Sequence, residues 1–116
     1  MFLRVSAVVA AGALLATVTV PSHANGLDKL HKQAREGGRT CMIGHYHFGS
    51  SGPWSSKAQA MAVAKRSWER FTAGEYGPAW GSLRLAGSVG YACGSSKSAR
   101  GTLWSCELKA RPCRKL

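Results

Sequence analysis

The chain has 116 residues, with 16 Lys and Arg against 5 Asp and Glu, for a formal net charge of +11 at pH 7. That length holds one small domain and excludes a two-domain enzyme. A hydrophobic content of 45% with four Trp excludes a disordered basic tail.

Arg4 supplies one positive charge ahead of an apolar run from Val5 to Val20, which Pro21 breaks before Ser22-His23-Ala24. Charge, apolar stretch and small-residue exit make a secretory signal over residues 1–24, cleaved after Ala24. This uncharged run of 16 residues falls short of the roughly 20 that span a bilayer, so no stable membrane anchor is expected. The remaining 92 residues carry +10 and are expected to be exported, either periplasmic or secreted. At that size about 60–65% of the unfolded surface is buried, and covalent staples help.

Residues 25–40 are polar, with a Gly37-Gly38 pair, and read as a mobile N-terminal arm or a frayed helical turn. A single disulfide-bonded domain then fills 41–116. Cys41 to Phe48 reads as a strand with Met42, Gly44, Tyr46 and Phe48 on one face and Ile43, His45 and His47 on the other. Gly49 to Pro53 ends it. Ser56 with Gln59 makes a capping box for a helix over 56–73, with Gly74 as its stop and Met61, Ala64, Trp68 and Phe71 as its apolar face. Trp80 to Cys93 alternates apolar residues at odd positions and reads as a strand, with a bend or bulge at Gly87 and Gly90. Gly94 to Gly101 is a basic hairpin loop, and Thr102 to Ala110 returns as a strand burying Trp104, Cys106, Leu108 and Ala110. The fold class is α+β: one helix packed on a three-stranded, mainly antiparallel sheet in the order β-α-β-β.

Four Cys in a small exported chain read as two disulfides. Three pairings are open, and no CxxC pair supports structural zinc. Cys93 and Cys106 fall in register with core residues of facing strands, which favours Cys93–Cys106 with Cys41–Cys113.

His45 and His47 project from one face of the expected strand, a spacing that suits two imidazoles on one metal ion, with Cys41 or Met61 to complete it. The same pair would serve as acid and base in a small nuclease-like hydrolase. Against both stands the plainer reading of two partly exposed strand histidines. Glu75 with Glu107 is the one imaginable carboxylate couple for glycoside chemistry, Glu69 reads as a surface partner of Arg66 and Arg70, and no GxSxG or SxxK occurs. No cofactor is implied.

The basic residues carry the leading expectation. Lys65, Arg66 and Arg70 from the helix, Arg84 from a strand, Lys97 and Arg100 from the hairpin loop, and Arg111 near the C-terminus form a candidate binding face. Such a field attracts anionic polymers such as lipopolysaccharide, wall polymers or DNA, and the partner expected is one of these or an envelope protein. Trp54 and Trp80 are the aromatics least committed to the core and suit stacking on a sugar or base. The leading reading is a non-enzymatic exported basic module; a nuclease-like hydrolase and a periplasmic metal binder are its alternatives.

Gly44-His45-Tyr46-His47-Phe48-Gly49, the helix ending in Trp68, Glu75-Tyr76-Gly77-x-Ala79-Trp80 and the Trp104-Ser105-Cys106…Ala110-Arg111-Pro112-Cys113 close resemble small exported bacterial proteins of unassigned function. The resemblance covers most of the mature chain. It implies the compartment and brings no catalytic or binding residue.

Overall fold

In the computed structural model, which describes residues 31–116 and the isolated positions Gly12, Ala13 and Ala16, Ser56 caps the helix. The expected leader therefore lies outside the described residues apart from those three positions, as does 25–30. The Ser56 hydroxyl accepts the Gln59 N–H at 3.1 Å, satisfying one of the orphan donors of α1, Lys57–Tyr76. The helix runs through Gly74 and stops at Gly77, which takes φ 99 and precedes Pro78. Only a residue without Cβ adopts that φ cheaply, and Pro78 cannot continue the hydrogen-bond ladder.

Ala60, Ala64, Trp68, Thr72 and Tyr76 are the buried residues of α1. Their four-residue spacing overshoots the 3.6-residue turn, so the buried stripe rotates by about 40° per step. Phe71, expected in the core, instead sits at 50% exposure, because the stripe has turned past it. Two short 3₁₀ turns follow, Pro78–Trp80 and Leu83–Leu85, where the alternation had suggested strand. Glu69 does not pair with its neighbouring arginines; its Oε2 accepts the Leu83 N–H at 3.0 Å and opens the second turn.

The class is α+β, with two three-stranded antiparallel sheets. The strands are β1 Gln33–Glu36, β2 Arg39–Met42, β3 His47–Ser50, β4 Gly87–Ser98, β5 Gly101–Arg111 and β6 Cys113–Lys115. Sheet order β3-β5-β4 supplies the surface on which α1 packs. The bulge falls between Gly87 and Gly90, and the β4–β5 turn is only Ala99-Arg100, so both strands outrun the loop expected at 94–101.

Trp68 is fully buried, and its indole N–H donates to the carbonyls of His47 (3.0 Å) and Ala110 (3.3 Å), a register pair of β3 and β5. Burial of such a side chain contributes on the order of 3 kcal/mol.

The second sheet, β1-β2-β6, replaces the expected arm or helical turn. Gly37 and Gly38, at φ 49 and 74, turn the chain so that Gln33 faces Met42 and Glu36 faces Arg39. Its attachment is largely polar. Arg39 Nη1 donates to Leu85 O (2.5 Å) and Ala86 O (3.0 Å), Arg111 pairs with Glu36 at 2.7 Å, and Met42 packs with Tyr76 and Trp80.

Cys41–Cys113 and Cys93–Cys106 are the two disulfides, each joining directly facing residues of antiparallel strands. No helix among the described residues is long and apolar enough to cross a membrane.

Candidate functional site

The expected continuous strand over 41–48 is broken. β2 ends at Met42, the chain bends through residues 43–46 with Gly44 at φ 69, and β3 starts at His47. The bend shifts the alternation by one, so His47 turns inward and Phe48 outward. His45 and His47 therefore do not share a strand face.

The bend opens a cleft of about 610 Å³ between the C-terminal half of α1 and the start of β3. Phe71 and Glu75 come to it from the helix, His47 and Phe48 from β3, His45 and Tyr46 from the bend, and His31 from the segment ahead of β1. His31 was not singled out in sequence. It arrives because the Ile43 N–H donates to Lys32 O at 2.8 Å, extending the β1–β2 pairing toward the bend.

Nδ1 of His31 lies 3.1 Å from Nε2 of His45, so one ring donates its N–H and the other accepts. Their planes cross at 82°, and the edge of His31 also meets Tyr76 at 5.3 Å between centroids. His47 stacks on Tyr76 at 4.7 Å, and its Nδ1 shares a 2.9 Å hydrogen bond with the buried Thr72 hydroxyl. Lys109 Nζ sits 4.4 Å above the Tyr46 ring, a cation–π contact on the outer side of the sheet.

Burial pushes His47 below the ordinary imidazole range; Glu75 opposes that, while His45 and His31 reinforce it. The Tyr76 phenol is pushed up, first by burial and then by Glu75. For His47 the unfolded state binds more protons between the depressed folded value and the unfolded one near 6.5. Its stabilising contribution is thus complete above about pH 6.5 and is lost as pH falls toward the folded value. Thermal midpoints measured from pH 7.5 down to 5 should fall, and fall less in His47→Gln. Equal falls in both proteins would place the sensitivity elsewhere.

Lys65, Arg66 and Arg70 are exposed on α1, Arg84 on its 3₁₀ turn, Lys97 near the tip of β4, and Arg100 in the turn. Arg111 is withdrawn from the expected binding face: it is half-buried and paired with Glu36. Trp80 is buried beneath Arg114, at 5.6 Å from the ring, and Trp54 bridges to Trp104 through paired backbone bonds of 2.8 and 2.6 Å. Core and strand contacts thus occupy the two aromatics considered for stacking, although Trp54 keeps 39% exposure.

Glu36, Cys41 and Cys113 bring donor atoms within 4.8 Å of one another, but both sulfurs are committed to the disulfide, which leaves no thiolate for a metal. No protein family, curated protein or solved structure matches the chain. Function is therefore argued from chemistry of the surface and the cleft.

Proposed function

We propose that the protein is a non-enzymatic exported module that holds anionic envelope polymers on the outer surface of α1. The observation that carries this reading is the exposed cluster Lys65, Arg66 and Arg70, which has no carboxylate partner among the described residues. Arg66 and Arg70 stand one helical turn apart and present adjacent charges. Residues 31–116 hold 14 Lys and Arg against 4 Asp and Glu, and Glu36 and Glu69 are already engaged within the fold. Two disulfides support an oxidising compartment, and with it the leader read over 1–24.

Duplex DNA serves as a probe polyanion of known charge spacing, beside lipopolysaccharide. Arg66→Glu with Arg70→Glu should weaken both by at least about tenfold at low salt and flatten the log K against log salt slope for DNA by about two. Both side chains are exposed, so the thermal midpoint should stay put. Unchanged affinity in this variant would remove α1 as the binding surface.

A further inference from the structure

The cleft supports a second property that does not depend on the polymer reading. We propose that His31 and His45 form a two-imidazole site for a divalent transition-metal ion, with Cu(II) the tightest of the series. The residues differ from the His45/His47 pair that the sequence suggests, because the bend turns His47 into the core and gives its Nδ1 to Thr72.

Two imidazole nitrogens bound to one ion at about 2.0–2.1 Å lie roughly 2.9–3.4 Å apart for angles between square-planar and tetrahedral. Nδ1 of His31 and Nε2 of His45 are 3.1 Å apart. A metal ion can replace the proton they share without separating the rings; each ring only tilts to aim its lone pair at the ion. His45 is exposed and His31 only partly covered, so the cleft mouth leaves room for that tilt.

The Ile43 to Lys32 backbone bond continues the hairpin register, and the contact of His31 with Tyr76 holds its ring from the other side. His31 is thus placed before the ion arrives, with the His45 ring already against it, which reduces the ordering cost of binding. Tyr76 itself is anchored in the small core with Met42 and Trp80.

Among the described residues no third His, Cys or carboxylate donor converges with the pair in this arrangement. Water fills the remaining positions, and the exposed Glu75 on the cleft wall is the carboxylate that side-chain rotation can bring to the ion. Imidazole with open water positions favours Cu(II) over Ni(II) and Zn(II) by the usual order of stabilities. Each ring would hold the ion through the lone pair of its facing nitrogen.

The test is calorimetric titration of the oxidised protein with CuCl₂ and ZnCl₂, with electron paramagnetic resonance of the copper form. One ion per chain is expected, with nitrogen hyperfine structure from two imidazoles. His31→Ala and His45→Ala should each weaken Cu(II) by at least about tenfold, and His47→Gln should leave it unchanged. Thermal midpoints near that of the parent would show that the two substitutions leave the fold intact. Undiminished binding in the His31→Ala, His45→Ala double variant, or loss of binding only with His47→Gln, would overturn the proposal. So would the absence of any Cu(II) uptake at micromolar concentrations.

Discussion

Replacing Cys41 and Cys113 together by Ser is expected to lower the unfolding free energy by about 4 kcal/mol, and replacing Cys93 and Cys106 by about 3. The difference follows from loop length, since the first pair closes 72 residues and the second 13. Local structure points the same way. β6 meets β2 through three register pairs, the strands of that sheet run to three or four residues, and apart from the buried disulfide itself only Met42 joins a core cluster, with Tyr76 and Trp80. A sheet so short is marginal on its own. The β4–β5 hairpin has ten register pairs and shares the core beneath α1. Urea unfolding of the two double variants against the parent checks the order, and the first should melt about 15 °C or more below the parent. Equal losses would show that the second sheet is held by Arg39, Arg111 and Met42 rather than by its disulfide.

Gly49→Ala should cost about 3 kcal/mol or more. Gly49 lies in β3 where α1 passes over it, opposite Leu108. A Cβ there would run into the Ala64 carbonyl oxygen and lie 2.7 Å from Trp68 N and 2.8 Å from Trp68 Cβ. Two of those three atoms belong to the helix backbone and cannot step aside alone, so α1 must lift from the sheet and loosen Trp68. Gly94→Ala on the exposed part of β4 is the control, with open space around its Cβ and an expected change within about 0.5 kcal/mol. Similar midpoints for the two variants would mean that the helix rides higher on β3 than the contacts indicate.

The parts of the fold legible in sequence are those where one physical rule acts alone. Strict alternation from Trp104 to Ala110 marks a half-buried strand, and the same parity brings Cys106 opposite Cys93. Ser56 announces its helix because few residues satisfy a first-turn N–H so well. The stop was misplaced at Gly74, since a glycine with room around it is tolerated in a helix when a residue beyond it, here Tyr76, has core to reach. β1 was illegible because none of its four residues is buried, and the sheet it joins is held by backbone pairing, two arginines and a disulfide to a residue 72 positions away. The site suffered most from the bend at 43–46. Continuing the period of two across it inverted the faces of His47 and Phe48, and hid His31, whose partner lies 14 residues on.

The unequal spans of the two disulfides also set a sequence of events in time. Cys93 and Cys106 can meet as soon as one hairpin closes, while Cys41 finds Cys113 only after the helix and the main sheet have brought distant segments together. β6 is then the last strand laid down, docking on the local β1–β2 hairpin whose register carries His31 to His45. A chain folding in an oxidising space would close its local hairpins first and tie the one that bears the histidine pair to its C-terminal strand last.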